Sequence, residues 1–61
     1  MGGGLMKNYT VNIAFKRGAD FSVELLDQAS AQEAKATGVY IARQNGFRAA
    51  IKKTSATVTG Q

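Results

Sequence analysis

Two sets of side chains in this chain have the types and spacing to hold another molecule. Lys16, Arg17, Arg48, Lys52 and Lys53 fall in two runs, 7–17 and 35–53, that contain no acid. Cations placed this way can track phosphates, with Thr10, Asn12 and Ser22 adding neutral hydrogen bonds. Tyr40, with Arg43 and Gln44 beside it on a helix, is an amphipathic aromatic of the kind that anchors protein interfaces. A third set, Asp20 and Glu24, places two carboxylates on one strand face. With Lys16 nearby they read as a solvated hairpin surface, because catalytic carboxylates need burial or strong coupling to shift their pKa values.

The missing residue types narrow the chemistry further. The chain has no histidine and no cysteine, which removes the usual general base, the usual nucleophile pairs and the usual transition-metal ligands. Its glycine-rich start, "MGGGLMK", lacks the P-loop spacing and no strand precedes it. No Asp-rich loop suggests calcium. The expectation is a protein that is not an enzyme, with no cofactor, no metal and no small-molecule substrate.

Sixty-one residues allow one domain, and a chain this short buries only about 60% of the surface its unfolded form exposes. Dimerisation or a partner can then add stability. The absence of cysteine gives no sign of an oxidising compartment. No apolar run approaches the roughly 18 residues of a membrane span, and the helix has too small an apolar side to lie on a membrane. A cytoplasmic setting follows as the expectation. Residues 1–6 read as a disordered leader or a cloning remnant, 7–58 as a single domain and 59–61 as a loose tail. The net charge is +4, and all four acids lie between residues 20 and 33.

The elements that must position these groups follow from hydrophobic period and caps. "YTVNIAF" alternates, with Tyr9, Val11, Ile13 and Phe15 on one face; "DFSVELL" repeats the pattern through Phe21, Val23 and Leu25. The pair predicts a hairpin, with Phe15 opposite Phe21, Ile13 opposite Val23, Val11 opposite Leu25 and Lys16 opposite Asp20. Ser30 and Glu33 form a capping box that starts a helix at Ala31. Asn45-Gly46 ends it in a Schellman turn, with Phe47 over Ala42. Ala31, Ala34, Gly38, Ile41 and Ala42 share the inner helix face, while Tyr40 points away. A face of Ala and Gly lets the helix lie close to a sheet crowded by aromatic rings, and Gly38 is expected to sit against one of them.

"FRAAIKKTSATV" predicts a third strand. Ala49 and Ile51 are out of phase with Ala56 and Val58, so a bulge is expected near Lys53–Ser55. The fold class is therefore α+β: β-β-α-β, a three-stranded antiparallel sheet in order 2-1-3 from a right-handed crossover, with one helix packed on one face. The other face would show Thr10, Asn12, Ala14, Ser22 and Glu24, plus Arg48, Ala50, Lys52 and Thr54, with no aromatic to stack on a base.

A lone β-β-α-β chain with alternating strands and the Ala-rich helix start "SAQEAKA" resembles the small accessory proteins of bacteriophages and prophages, such as the host RNA polymerase inhibitors of podovirus-type phages. The resemblance covers residues 7–58 in layout. It implies a phage-derived, non-enzymatic module that works by occupancy. The expected function is thus a small binding module acting on a host or self protein through Tyr40, Arg43 and Gln44. The alternative is nucleic-acid binding through Lys16, Arg17, Arg48, Lys52 and Lys53. A homodimer through an edge strand or the open sheet face is a third possibility.

Overall fold

The alternation of Tyr9, Val11, Ile13 and Phe15 gives the first strand one face that water cannot satisfy, and the fold places that strand in the middle of its sheet. A computed structural model describes residues 6–60, in the order β1 (Lys7–Phe15), β2 (Phe21–Gln28), α1 (Ala31–Gln44) and β3 (Ile51–Gly60). The strands pair antiparallel as β2-β1-β3, the expected order, and α1 covers one face. Of the expected leader only Met6 is described, exposed and directly ahead of β1; residues 1–5 and Gln61 lie outside the described residues.

Local signals set both ends of α1. Ser30 is extended, and its hydroxyl accepts from the Glu33 N–H at 3.1 Å. The Glu33 carboxylate reaches back to the Ala29 N–H at 3.3 Å, one residue before the Ser30 N–H that a capping box would use. At the other end Gly46 has φ +90°, which a Cβ would make unfavourable. Phe47 N–H donates to Ala42 O at 3.0 Å and Gly46 N–H to Arg43 O at 3.1 Å, the two bonds of a Schellman ending.

The core lies between α1 and the sheet. Val11 and Ile13 are fully buried, joined by Tyr9, Phe15, Leu25, Ala34 and Ala42. Gly38 sits over the central strand, where a Cβ would come within 2.6 Å of Val11 Cγ1 and 3.1 Å of Val11 Cβ. The residue that needs the glycine is therefore Val11 and not an aromatic. The helix crosses the middle of β1, and the phenyl rings collect beyond the helix end.

Those rings also correct the hairpin register. Tyr9 pairs with Leu25, Val11 with Val23 and Ile13 with Phe21, a slip of two residues from the expected set. A two-residue slip keeps every apolar side chain on the same face, so alternation alone does not exclude it. Phe47, turned inward by the Schellman ending, makes the difference. Its ring centroid lies 5.6 Å from Phe15 and 4.9 Å from Phe21, so the two strand phenylalanines pack on this third ring instead of being paired directly. Phe15 pairs with Ile51 of β3, and Lys16 N–H donates to Ala50 O at 2.9 Å. Lys16 is thereby moved from Asp20 to the start of the third strand.

β3 begins at Ile51, later than expected, because Phe47 and Ala49 are drawn into the core side first. The expected bulge is present one residue earlier, at Lys52: Phe15 pairs with Ile51 but Ala14 with Lys53. The extra residue brings Thr54 and Ala56 opposite Ile13 and Val11, back in phase with Ile51 on the helix side. Thr59 and Gly60 are not a loose tail. Gly60 pairs with Asn8 past a second irregularity at Thr59, since β1 extends far enough to give them a partner. β2 bulges as well, where Lys7 faces Gln28 and Tyr9 faces Leu25. Asp27 there has φ 58°, and its N–H donates to Asn8 Oδ1 at 3.1 Å, a local bond that offsets an unfavourable backbone.

Candidate nucleic-acid interface

The five basic residues singled out from the sequence come together because three chain segments meet at one end of the sheet. Lys16 and Arg17 follow β1, Arg48 lies between α1 and β3, and Lys52 and Lys53 open β3; all five are exposed. Two links tie the segments together. One is the bond from Lys16 N–H to Ala50 O, and the other is the pairing of Ala14 and Phe15 with Lys53 and Ile51. On the helix side of this end Phe15, Phe21 and Phe47 pack as stacked and tilted rings.

Charge is correspondingly one-sided. Counting Arg43, six of the eight Lys and Arg lie at this end, with Asp20 the one acid beside them. Glu24 is midway along β2, opposite Thr10. Asp27 and Glu33 sit at the other end with Lys7 and Lys35, where the charges balance. A field of one sign focused on one end is what steers an anionic partner.

Arg43 belongs to the scaffold of this end. One guanidinium nitrogen, Nη1, donates to Phe47 O at 2.8 Å and to Ala49 O at 2.9 Å, and the side chain is half-buried. It thus closes the loop that carries Arg48. Replacing Arg43 by Met is expected to cost about 2–3 kcal/mol, since both carbonyls lose a charged donor. A thermal melt followed by circular dichroism checks the loss, and amide exchange at residues 47–50 should rise with it. Sequence reasoning placed Arg43 with Tyr40 on the outer helix face. The signal it missed was position, because a cation in the last helical turn lies within reach of the carbonyls of the loop that follows. Tyr40 itself is 65% exposed, as expected, and Gln44 is exposed one turn away.

The open sheet face differs from expectation in its β3 residues. By register it carries Thr10, Asn12 and Ala14 from β1, Ser22 and Glu24 from β2, and Lys53, Ser55 and Thr57 from β3. Arg48 and Ala50 precede the strand, Lys52 occupies the bulge, and Thr54 pairs with Ile13 toward the helix. Thr59 Oγ1 donates to Glu24 Oε2 at 3.4 Å, so the acid of this face already has a partner. None of its residues is aromatic. Among the described residues no group of His, Cys, Asp or Glu could hold a metal ion, and no helix is long and apolar enough to cross a membrane. Compared with protein-family models, with curated proteins and with solved structures, the chain matches none.

Proposed function

We propose that this chain is a small, non-enzymatic module that binds nucleic acid through its phosphates, using the basic end of the sheet. The observation that carries this reading is the convergence of Lys16, Arg17, Arg48, Lys52 and Lys53 from three separate segments, while three of the four acids lie elsewhere. The aromatic rings nearest this end pack on one another. They offer no platform for splayed bases, so the reading favours a duplex over a single strand. The short polar side chains of the adjacent open face would let a phosphate backbone approach closely.

The test is a fluorescence-anisotropy titration with a generic DNA duplex and a single-stranded RNA at rising salt. Each phosphate neutralised on a duplex adds about −0.9 to the slope of log K against log salt. Five contacts therefore predict a slope of roughly −4 to −5. The duplex is expected to bind more tightly than the single strand. No binding at low salt would refute the reading and pass it to a protein partner, a host protein included, held through the exposed Tyr40 and Gln44.

A further inference from the structure

We infer that two copies of this chain pair through β3, antiparallel and with a two-fold axis at Thr57, to form one continuous six-stranded sheet. The inference does not depend on phosphate binding. The sheet has two edges, β2 and β3; both are bulged, β3 at Lys52 and Thr59, and they differ in where their charges stand. β2 carries Glu24 and Asp27 and is bent by the bulge at Asp27, the devices by which proteins keep an edge from pairing. β3 from Thr54 to Gly60 has no charged residue and no proline, and it is rich in Thr. Among the described residues nothing hydrogen-bonds to its outer side.

The charge pattern of β3 selects the partner and the register. Lys52 and Lys53 stand at one end of the strand only. A parallel, in-register pair would set those lysines against their own copies, which is unfavourable. An antiparallel pair centred on Thr57 matches residues 54–60 with 60–54 and carries the lysines of the two copies to opposite ends, outside the paired stretch. The surface is self-complementary, as a two-fold interface requires.

The faces match as well. Ala56 and Val58 lie on the helix side by their pairing with Val11 and Tyr9, and in this register Val58 of each copy meets Ala56 of the other. Val58 is 48% exposed in the single chain, so pairing covers an apolar side chain that the fold leaves in water. On the open face Thr57 meets Thr57, a cross-strand pair that hydroxyl side chains favour. Both helices fall on the same side of the joined sheet.

Sedimentation velocity of the full chain, run from micromolar to millimolar concentration, is expected to show a mass rising toward twice that of the chain. Thr57→Lys and Thr57→Glu each place like charges face to face and should each raise the dimer dissociation constant about tenfold, with the helical circular dichroism unchanged. Mixing the two variants should restore the dimer, because Lys then faces Glu. Asn12→Lys, on the open face of the central strand, should dimerise like the wild type. A wild type that stays monomeric throughout overturns the inference. So does dimerisation of the Thr57 variants at wild-type strength, a mixture that fails to recover, or loss of the dimer in Asn12→Lys, which would point to stacking of the open faces.

Discussion

Gly38→Ala is expected to destabilise the domain even though alanine is the better helix former, and Gly38→Leu to unfold it. In an exposed helix the change to alanine would gain about 1 kcal/mol of propensity. Here the new Cβ would lie 2.6 Å from Val11 Cγ1, a separation that carbon atoms do not adopt. Val11 cannot turn aside cheaply. It is β-branched, stiff at χ1, fully buried, and paired on both sides in the central strand. The helix must then lift, and overpacking of this kind costs about 1–3 kcal/mol. The net expectation for Gly38→Ala is a loss of up to about 2 kcal/mol, read from the urea midpoint of the helical circular-dichroism signal. Leucine adds three more carbons in the same place. Since a domain of this size is stable by only roughly 3–9 kcal/mol, no folded fraction should remain at moderate urea.

A second substitution makes the cause identifiable. Val11→Ala removes both γ carbons and leaves the Val11 Cβ, at 3.1 Å, as the nearest atom to the site. In that background Gly38→Ala should no longer destabilise and should recover part of its helix propensity, so the double-mutant cycle should give a coupling of about 2 kcal/mol. If Gly38→Ala stabilises the wild type, the close approach of α1 to β1 is wrong. If it destabilises equally in both backgrounds, the cost arises somewhere other than Val11.

The same residues show what a sequence makes legible. Both ends of α1 could be read in advance because caps are local: Ser30 with Glu33, and Asn45-Gly46 with Phe47, carry their own hydrogen-bond partners. Strand order was legible too, since handedness and alternation leave few ways to connect β-β-α-β. Register was legible only in parity. The choice between two in-phase registers rests with Phe47, which enters from beyond the helix and packs on Phe15 and Phe21. In the same way the phase conflict between Ile51 and Ala56 announced a bulge, but nothing local distinguishes Lys52 from its neighbours as the residue to be left out of the ladder. The individual cations could be recognised as exposed. The expected order 2-1-3 already set the end of β1 beside the start of β3; what could not be read in advance is the bond that ties them, from Lys16 N–H to Ala50 O. Arg43 was misplaced for a related reason: helical periodicity says which way a side chain leaves the helix, and the carbonyls that bind it belong to the loop that follows.

The placement of charge, more than its amount, governs the second large effect. Arg48→Gln with Lys52→Gln, and Lys7→Gln with Lys35→Gln, each remove two positive charges from a chain of net charge +4. A partner attracted only by overall charge would respond equally to the two pairs. A duplex seated on the basic end would not. The first pair removes two phosphate contacts and should flatten the salt slope by about 1.8, while the second should leave it nearly unchanged. Extending the first pair with Arg17→Gln and Lys53→Gln should weaken duplex binding by two to four orders of magnitude at moderate salt, on the order expected for losing four such contacts. These four side chains are exposed, so their removal should change the urea midpoint by the equivalent of no more than about 0.5 kcal/mol each. Arg43→Met gives the opposite profile, with stability lost and the salt slope largely kept, because its guanidinium is occupied by Phe47 O and Ala49 O. Equal losses from the two ends of the molecule would show that the convergence at the start of β3 has no bearing on binding. A loss confined to the first pair would tie the slope to the loop after α1 and the start of β3, and the separation of stability from affinity between Arg43, in the last turn of α1, and Arg48, five residues on in the following loop, would show which cations build the site and which contact the phosphates.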